Sequence, residues 1–335
     1  YDCGGHSITG NGSGTGIYSD RNPAPDLKNC VVVNFSEGIH YEGADNGYIT
    51  DCNVSDSFKG VYLEGCHNVT MAGNRMDNNT YNFYLDGYSD STVNNSVDTS
   101  NKVQGKSIYY LLEASDASYS GSDVGMFVCA WCDNVTVKDA ALDKNSHGVY
   151  FYKTNNSKVE NVSAYNNSYG VELYENCDNN NLTDLDLRDN DYGELAGGVV
   201  LAYGCDDNNV SGAVLVGNGE VGAGYAGGGG IVLYSGCNRN YFEDVNISEG
   251  NLGIGVLGAA SGVYNNSFVD VNVSDTYCYA YYGGYNNGTV INETVFEIGT
   301  GCGIIALTCA KKGAYVVCSD INPYAAVSYT HLTLP

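Results

Sequence analysis

Short runs in which every second residue is apolar recur along the chain from near its first residue to about residue 290. Residues 148–170, GVYFYKTNNSKVENVSAYNNSYG, show the pattern: Val149 and Phe151 come first, and Val159 and Val162 follow an asparagine cluster. Alternation with a period of two is typical of β-strands. Asparagine and glycine between the runs supply bends, because both tolerate left-handed backbone angles. The pattern predicts three short strands in each repeat.

A small polar residue after the second apolar run marks each repeat. It recurs at Asn29, Asp51, Gly73, Asn95, Asp139, Asn161, Asp184, Gly212, Asp244 and Asp270. The first three intervals are each 22 residues, and the interval from Asn95 to Asp139 is 44 residues. We therefore expect one repeat near Asp116 that has lost its marker, and loop insertions where later intervals are longer.

A period near 22 residues that is built from short strands excludes a helical repeat, which needs an uninterrupted apolar stripe at helical spacing. It fits one coil of a right-handed, single-stranded parallel β-helix, in which each coil pairs with its neighbours and buries its inward side chains in a column. We predict an all-β solenoid of about eleven such coils over residues 1–294.

The composition narrows the range of partners. The formal net charge is −25 and the isoelectric point is about 4.2. An acidic surface of this kind repels phosphate backbones, so nucleic acid is not expected as a partner.

No apolar run reaches the roughly 18–20 residues of a membrane span. The chain begins at Tyr1, already inside a repeat, and we expect that its N-terminus has been cut and that the signal peptide is missing.

Asn-x-Ser/Thr triplets, the acceptors for N-glycans on secreted proteins, are dense in the repeat region. Examples begin at Asn53, Asn68, Asn134, Asn161, Asn166, Asn246 and Asn272. A repeat with asparagine turns and Ser/Thr-rich strands also produces such triplets by composition alone, and both explanations can hold together.

Four stretches resemble the NosD-like right-handed parallel β-helix surface proteins that are common in archaea: DCGGHSITGNGSGTGIYSD (2–20), LKNCVVVNFSEG (27–38), NKVQGKSIYYLLEAS (101–115) and KNSHGVYFYKTNNSKVENVSAYNNSYG (144–170). The resemblance covers about residues 1–294 and implies an extracellular or cell-surface location. The family name carries a copper association from one periplasmic branch. The sequence gives no support to a copper site, because no spacing typical of metal ligands joins the five histidines, His6, His40, His67, His147 and His331.

Tyrosines alternate with the apolar residues in the first strand of several repeats. We expect Tyr62, Tyr150, Tyr152, Tyr174 and Tyr234 to point outward. Exposed tyrosine rings on a flat sheet suit the apolar faces and hydroxyl groups of sugars, which makes glycans or surface proteins the expected partners. The alternative is that tyrosine simply suits solvent-facing strands.

Cysteines recur at one turn of the repeat, at Cys66, Cys132, Cys177, Cys205 and Cys237. The last three should stack in neighbouring coils. Their spacing permits a disulfide between adjacent coils, and free thiols packed as small apolar groups are the alternative.

Catalytic residues cannot be assigned from the sequence. The best carboxylates are Asp206 and Asp207, with Asp184, Asp186 and Asp189 one repeat earlier and Arg188 and Arg239 as the nearest basic residues. They match no motif of the pectin-degrading β-helix enzymes, and aspartate as a turn residue is the simpler interpretation. Weak Ca²⁺ binding by stacked Asp184, Asp244 and Asp270 is a further expectation, without the usual ligand loop.

The repeat ends near residue 295. Residues 295–326 read as strand, glycine-rich turn, helix (304–312) and strand, and resemble the start of a class I S-adenosylmethionine-dependent methyltransferase of the HemK type. The resemblance implies that Gly299, Gly301 and Gly303 approach the cofactor and that Asp320 bonds its ribose. One such fragment cannot bury a core, so we expect no methyl transfer.

The last nine residues (327–335), VSYTHLTLP, resemble translated sequencing-adapter read-through. We therefore expect a chimeric or truncated reading frame, with a true fusion as the alternative. Three functions stay open at this point: a non-catalytic surface β-helix that presents an acidic, tyrosine-bearing face to carbohydrate; a polysaccharide lyase, hydrolase or epimerase with a divergent site; and an inactive methyltransferase fragment.

Overall fold

A computed structural model of the chain describes residues 1–277 apart from 194, 221–227 and 258–261, and beyond them only the backbone of 279–283, 286–287, 290–291, 295–298 and 316–319. The described residues form an all-β parallel solenoid of about 12 turns, with coils roughly 22 residues apart and no helix. The predicted fold class is confirmed. The chain divides into two compact units, residues 1–152 with 165–167, and residues 153–164 with 168–335.

The strands are short, as the pattern predicted. The first unit contains β1 (Ser7–Thr9), β2 (Thr15–Ser19), β3 (Asp26–Lys28), β4 (Val31–Val33), β5 (Glu37–Glu42), β6 (Tyr48–Thr50), β7 (Asn53–Ser55), β8 (Lys59–Glu64), β9 (Thr70–Ala72), β10 (Arg75–Asp77), β11 (Tyr81–Asp86), β12 (Ser96–Val97), β13 (Lys102–Val103), β14 (Lys106–Leu112), β15 (Ser115–Ser120), β16 (Val124–Ala130), β17 (Asp133–Asp143) and β18 (His147–Tyr152). The second unit contains most of β19 (Lys158–Tyr165), and then β20 (Tyr169–Tyr174), β21 (Asn181–Thr183), β22 (Asp186–Arg188), β23 (Gly197–Ala202), β24 (Asn209–Val216), β25 (Gly229–Tyr234), β26 (Tyr241–Ser248), β27 (Leu252–Leu257), β28 (Val263–Tyr264), β29 (Ser267–Ser274), β30 (Tyr279–Gly283), β31 (Asn286–Asn287), β32 (Val290–Ile291), β33 (Val295–Ile298) and β34 (Val316–Ser319).

Parallel pairing stacks equivalent strands of successive coils within each unit. In the first unit the strand orders are β1-β4-β7-β10-β13-β14-β16-β18, β2-β5-β8-β11 and β3-β6-β9-β12, with β15 beside β17. In the second unit they are β20-β23-β25-β27-β30 and β19-β21-β24-β26-β29-β32, with β22 beside β19 and β24, β28 beside β31, and β33 beside β34. Among the described pairings only β13 with β14 is antiparallel.

The core of each unit is a column of stacked apolar side chains. Ile39 of β5 pairs with Val61 of β8, and Leu201 of β23 lies between Leu173 of β20 and Leu233 of β25. All five side chains are fully buried. Inward positions at every second residue therefore follow the predicted alternation, and burial of this apolar surface is the main favourable term in folding.

The marker residues turn the backbone through the left-handed region. Of the ten markers, all except Asn95 have a positive φ, as at Asp139 (52°) and Asp184 (55°). The expectation of a lost marker near residue 116 was wrong, because Asp116 itself has a φ of 52°. The doubled interval instead coincides with an irregular stretch that contains the antiparallel β13–β14 pair.

The cysteines take two forms. Cys3 bonds to Cys30 and Cys129 bonds to Cys132, whereas Cys52, Cys66, Cys177, Cys205 and Cys237 are buried thiols outside disulfides. Of the two alternatives for Cys177, Cys205 and Cys237, the structure therefore shows packed thiols and not disulfides. Burial raises the pKa of the Cys205 thiol well above its ordinary value, and the thiols of Cys177 and Cys237 raise it further.

The C-terminal region is described only at two strands, β33 and β34, which pair in parallel. The predicted helix at 304–312, the cofactor positions Gly299, Gly301, Gly303 and Asp320, and the tail at 327–335 lie outside the described residues. The predicted boundary at residue 294 also falls there. The described part of the chain holds no helix with the length and apolar character that crossing a membrane requires.

Candidate functional site

Three tyrosines of successive coils in the second unit form a stack that we call the tyrosine ladder: Tyr174, Tyr203 and Tyr234. Tyr174 ends β20 and Tyr234 ends β25, and both pair in register with Ala202 of β23. The next residue, Tyr203, has a φ of 58°, and its ring lies between the other two. The ring centroids are 5.0 and 5.2 Å apart at interplanar angles of 59° and 73°, a tilted to edge-on geometry that aromatic rings favour.

Two members of the tyrosine ladder, Tyr174 and Tyr203, line an open groove of about 770 Å³. The other lining residues are Glu175, Asn176, Gly204, Ser235, Gly236, Asn238, Gly262 and Tyr264. Tyr203 is 42% exposed, so its ring is accessible from the groove. The groove therefore combines flat aromatic surface with amide, hydroxyl and carboxylate groups.

The phenol groups of Tyr174 and Tyr203 act as uncharged hydrogen-bonding groups. Burial is the main cause that raises the pKa of Tyr174 and of Tyr203, and neighbouring tyrosines contribute to both shifts. Both phenols are therefore protonated at neutral pH, and a phenol hydroxyl both donates and accepts a hydrogen bond. Such groups suit the hydroxyls of a sugar.

Three of the predicted binding tyrosines are not on the surface. Tyr150 and Tyr152 are fully buried, so the expectation that their rings are exposed was wrong. The connection between β11 and β12 covers them: Tyr150 Oη donates to the carbonyl of Gly87 at 2.9 Å, and Tyr152 Oη donates to Asp90 Oδ1 at 3.2 Å. Tyr62 is 6% exposed. Of the predicted set, Tyr174 lies in the groove, together with two tyrosines that were not predicted, Tyr203 and Tyr264. Tyr234 is half-buried and contacts the groove through the ring of Tyr203.

A second group of polar residues, the histidine–carboxylate cluster, lies on β5 and β8 of the first unit. It consists of Glu37, His40, Glu42 and Glu64. His40 Nδ1 lies 3.0 Å from Glu37 Oε2, and His40 Nε2 lies 3.0 Å from Glu64 Oε2. Alternation along β5 places residues 40 and 42 on one face, and the register pairs Glu42 with Glu64. His40 is 7% exposed, whereas Glu42 is exposed.

Aromatic rings hold the imidazole of His40 in place. Tyr62 stacks on it with centroids 4.3 Å apart and an interplanar angle of 15°, and Tyr18 meets it edge-on at 5.4 Å. Lys59 Nζ lies 3.7 Å from the ring centroid of Tyr62 and 3.9 Å from that of Tyr84. Burial lowers the pKa of Lys59, while nearby carboxylates oppose that shift. This packing is why Tyr62 is covered.

The spacing of the histidines and glutamates along the sequence did not reveal this cluster. The five histidines are scattered along the chain, but one coil brings Glu64 opposite Glu42, 22 residues away. The signal that could have found it is His40-x-Glu42 followed one repeat later by Glu64. In the part of the chain that the structure describes, the only group of three His, Cys, Asp or Glu residues with ligand atoms within 4.8 Å of one another is His40, Glu42 and Glu64.

The carboxylates considered for catalysis serve turns and ion pairs. Asp184, Asp189 and Asp207 have φ of 55°, 53° and 57°. Arg239 contacts both Asp206 and Asp207, at 3.1 and 2.7 Å, on the surface. Arg188 contacts Asp186 at 2.6 Å, and Asp184, Asp244 and Asp270 do not belong to the histidine–carboxylate cluster.

The sequence profile of a family described as "Periplasmic copper-binding protein (NosD)" matches residues 4–121 and 112–299. A protein of Methanocaldococcus jannaschii that is named as a putative protein N5-glutamine methyltransferase is 60% identical over 37 residues, which are 11% of this chain and 19% of that protein. The chain thus spans less than a fifth of this curated relative.

Three solved structures are similar at low identity. The catalytic domain of a GH87 α-1,3-glucanase in complex with nigerose shows 12% identity and a TM-score of 0.35, over 79% of this chain and 53% of that chain. The A-module of the Azotobacter vinelandii mannuronan C-5 epimerase AlgE6 shows 14% identity and a TM-score of 0.34, over 85% of this chain and 88% of that chain. A mannuronic acid-specific polysaccharide family 6 lyase from human gut microbiota shows 9% identity and a TM-score of 0.35, over 94% of this chain and 86% of that chain.

The family description names copper, and the donor atoms can be compared with what copper requires. Cu(I) prefers thiolate or thioether ligands, but the cysteines of the described residues that lie outside disulfides are buried in the core. Imidazole suits Cu(II) and Zn²⁺, and one imidazole with two carboxylates is a set that either ion accepts. The chemistry of His40, Glu42 and Glu64 therefore fits a divalent transition metal, and these three residues would hold it.

Proposed function

The chain belongs to the NosD family, and we propose that it is a non-catalytic carbohydrate-binding protein that acts outside the cytoplasm, at the cell surface or in the extracellular space. The observation that carries this proposal is the tyrosine ladder, two of whose rings line the groove. Ligand sites typically combine apolar and aromatic walls with a few placed polar groups. Tyr174 and Tyr203 offer ring faces to the apolar side of a sugar, and their hydroxyls offer hydrogen bonds, while Tyr234 supports the ring of Tyr203.

The charges around the groove favour a neutral glycan. Among the described residues that line it, none is basic, and the single carboxylate is Glu175, which contacts Lys153 at 3.2 Å. The net charge of −25 disfavours the approach of an anionic polysaccharide. We therefore propose neutral oligosaccharides, rather than uronates, as the ligand class.

The location is supported by two observations. The family description is periplasmic. In addition, seven of the acceptor asparagines are exposed: Asn53, Asn68, Asn134, Asn161, Asn166, Asn246 and Asn272. Exposure is a condition for glycosylation, which takes place on secreted and surface proteins.

The test is a glycan array followed by calorimetry with the neutral oligosaccharide that binds best. Tyr203→Ala should weaken binding at least tenfold, because it removes the central ring. Tyr48→Ala is the matched control, since Tyr48 is 50% exposed and lies in β6 of the first unit. The proposal would be wrong if no glycan binds, or if Tyr203→Ala binds as tightly as Tyr48→Ala does.

A polysaccharide-acting enzyme is the second candidate, and one observation favours it. Lys59 and His40 converge with Glu37 and Glu64, which meets the minimum of one basic residue and two carboxylates for acid–base chemistry. However, His40 and Lys59 are only 7% and 8% exposed, so they offer a substrate little access. Turnover of any member of a uronate and neutral-glycan panel would favour this candidate over simple binding.

A further inference from the structure

The histidine–carboxylate cluster places three metal-ligating groups around one point. His40 Nε2 and Glu64 Oε2 are 3.0 Å apart, and the ligand atoms of His40, Glu42 and Glu64 all lie within 4.8 Å of one another. Two ligands bound to one ion at about 2.0–2.2 Å lie roughly 3 Å or slightly more from each other. The side chains therefore need only small rotations to share an ion.

The other nitrogen of His40 is fixed in the manner of a metal-bound histidine. Nδ1 lies 3.0 Å from Glu37 Oε2, and the same oxygen accepts a hydrogen bond from Thr15 Oγ1 at 2.9 Å. A carboxylate that accepts from one ring nitrogen sets the tautomer and leaves the other nitrogen as the ligand. Tyr62 and Tyr18 restrict the ring further, so Nε2 stays directed toward Glu64.

The carboxylates of the cluster are accessible to solvent, whereas its imidazole is buried. Glu42 is exposed, the Glu64 side chain is 39% exposed, and His40 is 7% exposed. An ion from solvent would therefore meet the two carboxylates before the imidazole. Tyr18 Oη donates to Glu42 Oε2 at 2.7 Å, which orients this carboxylate as well.

We propose that His40, Glu42 and Glu64 bind a divalent transition-metal ion of the Cu²⁺ or Zn²⁺ type, with Glu37 as the residue that positions His40. The imidazole nitrogen selects against Ca²⁺ and Mg²⁺, which prefer oxygen ligands. The site shares no residue with the tyrosine ladder, and its test does not depend on glycan binding.

The experiment is calorimetric titration of the metal-free, untagged chain with Cu²⁺ and with Zn²⁺. We expect the tightest site to weaken at least 100-fold in His40→Gln and at least tenfold in Glu42→Gln. Glu37→Gln should weaken it by about 10–100-fold, as is typical of residues that orient a metal ligand. His67→Gln is the control and should leave this site unchanged. Paramagnetic resonance of the Cu²⁺ form should show one coordinated nitrogen that disappears in His40→Gln.

Glu42 is exposed, so Glu42→Gln should fold even if the substitution of buried His40 does not. The proposal is overturned if the wild-type chain binds neither ion, or if Glu42→Gln and His67→Gln bind with the same affinity as the wild type. A site that binds Ca²⁺ as tightly as Zn²⁺ and survives His40→Gln would overturn it as well, because carboxylates alone would then account for binding.

Discussion

Asn208 donates from Nδ2 to Asn240 Oδ1 at 3.0 Å, across one full coil of the second unit. The same nitrogen also donates to the carbonyl of Cys177 at 2.9 Å, and Asn208 Oδ1 accepts from Asn180 Nδ2 at 3.1 Å. Asn240 repeats the arrangement toward Asn266. These buried amides join successive coils and satisfy main-chain carbonyls that would otherwise be unpaired in the core.

Replacing Asn208 by leucine should lower the free energy of unfolding by about 2–3 kcal/mol, because buried amide and carbonyl partners lose their hydrogen bonds. The check is urea denaturation followed by circular dichroism. Asn209→Leu is the control: Asn209 is the next residue, is only partly buried, and bonds to Asn181 at 2.7 Å. A similar loss in both variants would show that the buried ladder has no special role.

Leu201→Ala should lower the free energy of unfolding by about 2–5 kcal/mol, since it removes a fully buried side chain between Leu173 and Leu233. The same denaturation measurement applies. Val214→Ala on β24 is the control, because Val214 is only partly buried, and it should cost less than half as much. Equal costs would contradict the assignment of the core face.

The alternation of apolar residues was sufficient to predict this core, because a repeating strand can bury only one set of side chains and stacking repeats that choice in every coil. Leu173, Leu201 and Leu233 could therefore be assigned to the interior from their alternation alone. The left-handed turns at Asp and Asn markers were predictable for the same reason, as the backbone turns at this position in nearly every coil.

The candidate sites were only partly predictable. Tyr150 follows the same outward alternation as Tyr174, but the connection that covers it belongs to an irregular part of the chain, and no repeat rule places Gly87 above Tyr150. His40 and Glu64 come together through register between coils, which requires knowing that the two strands pair in a particular alignment. Local pattern thus indicates the direction of side chains but not what covers them.

Cys66 should resist alkylation up to about pH 10. Burial raises the pKa of its thiol to about 11, so the reactive thiolate is scarce in the folded protein below that pH. Because the pKa of Cys66 is higher in the folded state than in the unfolded state, its protonated thiol contributes to the stability of the fold. This contribution is fully present below the ordinary thiol pKa and is lost as pH rises through about 11. Site-resolved mass spectrometry after iodoacetamide treatment would show this, with the urea-unfolded chain as the fully modified reference. Rapid modification of native Cys66 at pH 8 would contradict it.

Gly204→Ala should reduce both stability and glycan affinity, and Gly65→Ala separates the two causes. Both glycines have left-handed angles, with φ of 76° and 60°, so a side chain adds about 1–2 kcal/mol of backbone strain at either position. At Gly204 the new Cβ would also lie 3.0 Å from Asn176 Oδ1, within the groove, whereas at Gly65 it meets nothing within 4 Å. The shared backbone strain should lower the free energy of unfolding in urea for both variants, and the contact with Asn176 should lower it further in Gly204→Ala. Calorimetry should show at least a fivefold weaker affinity for the glycan in Gly204→Ala alone. Unchanged glycan affinity in Gly204→Ala would place the ligand away from this wall of the groove, and weakened affinity in Gly65→Ala would attribute the effect to general destabilisation.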